Sequence, residues 1–292
     1  MFDLRYHVAS LAAVFLALII GILVGVGISG PVDNQKTKFL EEQVAKYQRQ
    51  LDQNAAKSTD DAREQEAART FISDTYPLLV RNRLREKKIA VVYVGSVDGG
   101  MRKAVNGLLG DSGAQQLRLR TLKVPIDVRQ LGAALKGQPA AVGLRGRQNV
   151  EALGRSLGQE LVLGDDTPLW DSLAGALADE QDGGSRAPAD GVVLVRQGTP
   201  QRGATSRFLL GLYSGLASAP VPAVGVESTD AAQSATRAFA RGGLSTVDDV
   251  DKPVGRLATV LLLAGASSGQ YGVKDTADDV LPPFPPRNAA GG

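Results

Sequence analysis

The residues of this chain that could do chemistry are few and mostly acidic. Two short runs, Gly164-Asp165-Asp166 and Asp248-Asp249-Val250-Asp251, hold carboxylates close enough together to offer oxygen ligands to a hard cation. Both also precede a proline, Pro168 or Pro253, which is how helices with proline in the first turn begin. Asp166 or Thr167, and Asp251, are therefore expected to cap helices. A third stretch, Gly95-Ser96-Val97-Asp98-Gly99-Gly100, would cradle a phosphate if it joined a strand to a helix. Its spacing is not G-x-G-x-x-G, and Asp98 sets a negative charge in the cradle. These residues predict no nucleotide, no cofactor and no metal site.

Nucleophilic chemistry is poorly supplied. The only histidine is His7, far in sequence from most of the serines and aspartates, so a Ser-His-Asp hydrolase is excluded. Cysteine is absent, which removes disulfides, thiolates and sulfur-ligated metals. Met101 is the only methionine besides Met1. No pair of carboxylates stands at a spacing that marks general acid and base, so no enzyme is expected. With 33 basic and 31 acidic residues the formal charge is +2, and no strong field draws the chain to nucleic acid.

The elements that carry these residues fall into five segments. After a short flank over 1–7, residues 8–28 contain no charged side chain. At about 1.5 Å per residue that run spans roughly 30 Å, the hydrocarbon thickness of a bilayer. Only Arg5 supplies positive charge ahead of it and Gly30-Pro31 follows, so an uncleaved transmembrane helix fits better than an export signal. Lys36, Lys38 and Lys46 against Arg5 leave its orientation open. Ala9, Ala13, Ala17, Gly21 and Gly25, continued by Ser29, recur every four residues and line one ridge of the helix. Small ridges let helices approach closely in lipid, which predicts a contact with a second copy or another membrane protein.

Residues 33–76 form a helical signal, free of glycine and rich in Gln, Lys, Glu, Asp and Ala. Leu40, Val44, Tyr47 and Leu51 follow the 4-3-4 spacing of a coiled-coil seam. The seam turns polar at Asn54, Ser58 and Asp61, recovers near Ala68 and Ile72, and is expected to end or kink at Pro77. A parallel homodimeric stalk is the expectation.

Residues 87–272 alternate strand and helix patterns. Strands are expected at 89–94, 117–124, 191–195 and 221–226, with helices over 100–109, 204–216, 231–240 and 253–264. The fold class is α/β, a mostly parallel sheet covered on both faces, and 43% hydrophobic residues suffice for its core. Glu180–Asp190, EQDGGSRAPAD, reads as a surface loop, and 273–292 as an extended, mobile, Pro-rich tail.

Three blocks carry a family resemblance: the opening MFDLRYHVASLAAVFLALIIGILVG, the junction Leu84 to Val94, and STVDDVDKPVGRLATVLLLAG followed by Gln270-Tyr271-Gly272. Together they resemble the actinobacterial mycobacterial copper transport protein B (MctB) family. The resemblance implies a cell-membrane protein of the envelope with a cytoplasmic N-terminus, an external stalk and α/β domain, and a role in copper efflux or homeostasis. It includes SteB-type proteins, associated with a partner membrane protein and with control of peptidoglycan hydrolases during cell separation. Copper(I) prefers thiolates and thioethers and copper(II) prefers imidazole, so this residue set builds no selective copper site within one protomer. An indirect role in copper handling is the expectation, with a non-enzymatic scaffold as the alternative.

Overall fold

The computed structural model describes residues 63–164, 166–183, 186–197 and 199–284, with isolated helical positions at 14, 16–18, 20, 43, 44, 46, 47 and 61. The chain divides into two compact units, Met1–Ala68 and Arg69–Gly292. In the first, Val14, Leu16, Ala17, Leu18 and Ile20 are helical and exposed, as are Val44 and Tyr47. Among the described residues no helix is long and apolar enough to cross a membrane, and most of the uncharged run over 8–28 lies outside them.

The second unit is built on a seven-stranded sheet of order β3-β2-β1-β4-β5-β6-β7. Its strands are β1 (Lys88–Val94), β2 (Gln115–Leu122), β3 (Ala178–Asp182), β4 (Gly191–Arg196), β5 (Ala223–Val226), β6 (Ser245–Val247) and β7 (Gln270–Tyr271). All neighbours run parallel except β2 and β3, which are antiparallel. The central strands, KIAVVYV and GVVLVR, are continuous apolar and β-branched runs because both of their faces are covered.

Alternation along β1 divides the core in two. Ala90, Val92 and Val94 enter one layer with α3 (Val128–Ala134), α4 (Val150–Leu163), α5 (Pro168–Leu177), α6 (Gly203–Ala217) and α7 (Thr236–Arg241). Ile89, Val91 and Tyr93 enter the other with α2 (Gly99–Ser112), α8 (Pro253–Leu263) and the helix α1 over 63–80. That last helix does not end at Pro77. It continues to residue 80; Ala68 and Ile72, where the stalk signal recovers, are exposed, and burial in the core begins with Tyr76, Val80 and Leu84.

α4 and α6 cross at backbone contact. A Cβ at Gly211 would overlap the Glu151 carbonyl oxygen, one at Gly215 the Arg155 carbonyl oxygen, and one at Gly154 the Phe208 carbonyl oxygen. Gly154 and Gly158 face Gly211 and Gly215, each pair four residues apart. The helices α3 and α4 lie where the sequence reading assigned no element, whereas α5 begins at Pro168, where a helix with proline in its first turn was expected.

Three expectations are corrected. Glu180–Asp182 belong to the edge strand β3 rather than to a loop; polar residues at an exposed edge carry no apolar signal. The helix expected over 231–240 begins only at Thr236. The segment 273–284 does not trail away: Gly272 N–H donates to Asp279 O, Asp278 N–H to Gln270 O, and Arg83 stacks over Phe284. Residues 285–292 lie outside the described residues.

Candidate functional site

Strand order reverses between β1 and β4, and parallel sheets of this kind place their ligand crevice at the carboxyl ends of those strands. A cleft of about 590 Å³ lies there. Ser96 and Asp98 come from the turn after β1, Met101 from the first turn of α2, Gln197 follows β4, Ser228 and Asp230 follow β5, and Asp251 follows β6. The lining is acidic and, among the described residues, holds no basic side chain.

The phosphate cradle suggested by the glycines is occupied by the protein itself. Asp98 caps α2, its Oδ1 accepting the Met101 N–H at 2.8 Å. Its Oδ2 accepts from Gln197 Nε2 at 2.7 Å, while Gln197 Oε1 accepts the Asp98 N–H at 2.9 Å. These bonds hold the Asp98 carboxyl below the usual carboxylate range, the Met101 N–H contributing most. A carboxylate is therefore fixed where a pyrophosphate would sit, and it also ties the loops after β1 and β4 together.

The second acidic run is spent on architecture. Asp248 accepts the Val273 N–H at 2.8 Å and the Lys274 N–H at 3.1 Å. Gly272 has φ +137, and a Cβ there would overlap the Asp248 carboxylate, so only glycine fits beside it. Glu227 is fully buried and accepts from Lys274 Nζ at 2.6 Å, the Ser234 hydroxyl at 2.7 Å and the Ala235 N–H at 2.5 Å. The STVDDVD and Gln-Tyr-Gly blocks, separate in sequence, thus knit one buried charged network.

Asp251 does not cap α8. Its Oδ1 accepts the Thr229 N–H at 2.6 Å and the Thr229 hydroxyl at 3.0 Å, fastening the loop after β5. Burial raises its carboxyl, but the Thr229 and Lys252 hydrogen bonds outweigh that and hold it below the ordinary value. Asp249 is the opposite case. Burial first, then the charges of Asp248 and Asp251, push its carboxyl up to about 7, and its Oδ1 has no hydrogen-bond partner. In the first run, Thr167 makes no side-chain cap and Asp166 pairs with Arg186 at 2.8 Å. Glu160 caps α5 instead, accepting the Leu169 and Trp170 N–H groups at 3.2 and 3.1 Å. Among the described residues no group of three or more His, Cys, Asp or Glu side chains is placed to hold a metal.

Both acidic runs lie within one family match: the family model described as copper transport outer membrane protein, MctB, covers residues 1–282. The chain belongs to the MctB family. No curated protein matches it. The MctB family is named for copper transport at the envelope, so copper is a cargo to be tested against the donors present. Met101, buried at 2% exposure, lines the cleft, a placement that sequence spacing did not signal. One thioether among carboxylates does not make a selective copper(I) site, and no histidine is among the described residues of the lining.

The remaining predicted positions divide between described and undescribed residues. Ala17, Val44 and Tyr47 are helical and exposed, whereas Ala9, Ala13, Gly21, Gly25, Leu40, Leu51 and His7 lie outside the described residues.

Proposed function

We propose that this MctB-family protein is a non-enzymatic, single-pass envelope protein that serves copper handling without holding copper itself. Residues 8–28 anchor it in the membrane, 33–76 pair as a coiled-coil stalk of a homodimer, and the α/β domain lies outside the cytoplasmic membrane. The observation that carries this reading is the donor set: no Cys, one His and two Met in 292 residues of a family named for copper transport. The self-occupied crevice supports the non-enzymatic part, because the N-terminus of α2 that faces it is capped by Asp98.

The test is complementation of a deletion strain grown in copper. A variant carrying His7→Ala with Met101→Leu is expected to restore tolerance as well as the wild-type chain. Failure of a stably expressed variant to do so contradicts the indirect role. The same scarcity of donors favours a second reading, a scaffold that positions a cell-wall hydrolase through a partner membrane protein. Normal copper tolerance of the deletion strain together with chains of unseparated cells would support that reading instead.

A further inference from the structure

The charge of the α/β domain is unevenly spread. Residues 128–150 and 191–226 contain no Asp or Glu, although the chain as a whole balances 33 basic against 31 acidic residues. Folding brings these two segments together: Arg207 Nη2 donates to Arg147 O at 3.2 Å, and the Ile126 N–H donates to Thr205 Oγ1 at 3.2 Å. Arg129, Arg145, Arg147, Arg202 and Arg207 are exposed around that junction. None of them makes an ion pair among the described residues, whereas elsewhere Arg102 meets Glu180, Arg186 meets Asp166 and Lys87 meets Asp190. The carboxylates that flank 128–150 in sequence are spent, Asp127 on capping α3 and Glu151 on Arg155.

Helix geometry adds to this positive charge. Glu151 backs Gly211 and Arg155 backs Gly215, equal steps in the same direction, so α4 and α6 run parallel and begin at one end. Neither Asn149 nor Arg202 caps its helix with a side chain, and the first N–H groups of a helix have no partner within it. Side by side, the positive ends of the two dipoles raise the potential among the guanidiniums. In the loop leading into α4, Val142 is 78% exposed, more than any other large hydrophobic among the described residues. Arginines beside an exposed apolar side chain are the composition of a protein interface. One valine offers too little apolar surface to enter a bilayer, and a phosphate polymer would make no use of it. We propose that this end of the domain docks an acidic segment of a partner protein, one that carries an apolar side chain among its carboxylates. The guanidiniums pair with the carboxylates and Val142 receives the apolar contact.

The experiment titrates the full chain in nonionic detergent with a fluorescein-labelled peptide in which Leu alternates with pairs of Glu, read by anisotropy at physiological ionic strength. Saturable binding is expected, and none to the same peptide with Gln in place of Glu. Arg145→Gln combined with Arg147→Gln should weaken binding roughly tenfold and Val142→Ser roughly threefold, as charges and apolar area are removed from the interface. Arg81→Gln combined with Lys103→Gln removes the same charge from exposed positions on the α1 and α2 side of the sheet and should change binding less than about twofold. Unchanged thermal midpoints show that each variant is folded. Absence of saturable binding, or an equal loss in the Arg81 and Lys103 variant, overturns the proposal. So does tighter binding of inorganic polyphosphate, or of phosphatidylglycerol added to the micelles, that Val142→Ser leaves unchanged.

Discussion

Asp249 is a carboxyl that the fold keeps from ionising easily. Its ordinary value is about 3.9 when unfolded, and the native value is about 7. Between those values the native state binds more protons than the unfolded chain, so native stability contributed by this group falls as pH rises from about 4 to about 7. The loss amounts to up to about 4 kcal/mol by neutral pH. Asp249→Asn removes the titration, so its stability relative to wild type should improve across that interval. Parallel denaturation profiles of the two chains against pH would contradict this. Lys274 makes the complementary case: Lys274→Ala leaves Glu227 buried without its cation and should destabilise by about 3–5 kcal/mol, measured as a shift in denaturation midpoint. From spacing alone, Asp98 was legible as a charge in the glycine loop. The roles of Asp251 and Glu160 were not, because their partners lie 22 and 9 to 10 residues away and only folding brings them together.

Helices and strands were legible in proportion to their apolar pattern. β1, β4, α6 and α8 stand close to where periodicity puts them, because buried elements of parallel sheets are written in continuous hydrophobic residues. The edge strand β3 is ADEQD, a sequence that looks like loop because its side chains meet water and the charged group of Arg102 rather than a core. Small-residue spacing proved more general than the membrane setting in which it was first read. The same four-residue interval brings Gly154 and Gly158 of α4 onto Gly211 and Gly215 of α6. Gly215→Ala should therefore destabilise the domain by about 1–3 kcal/mol through overpacking, seen as a lower thermal midpoint. In the proposed anchor, Gly21→Leu and Gly25→Leu should weaken helix association, and an unchanged signal in a membrane two-hybrid assay would count against that contact.

At the scale of the molecule, the sheet order places a ligand crevice at the switch between β1 and β4, and the chain then fills its phosphate cradle with Asp98 and ties it shut with Gln197. The buried network of Glu227, Asp248 and Lys274 binds the last strand and the segment after it to the sheet, which explains why the most distinctive C-terminal residues are architectural. Leu51→Asp should loosen the proposed stalk while leaving the domain's own thermal transition in place, since that domain begins at Arg69 and, among the described residues, its core begins at Tyr76. Membership in a copper-transport family and a chain nearly devoid of copper donors meet in one quantity, the affinity of the full-length protein for copper(I) and copper(II). Titration of each ion against a competing chelator is expected to show no stoichiometric, competitor-resistant binding. One copper ion retained per chain or per dimer would contradict the account.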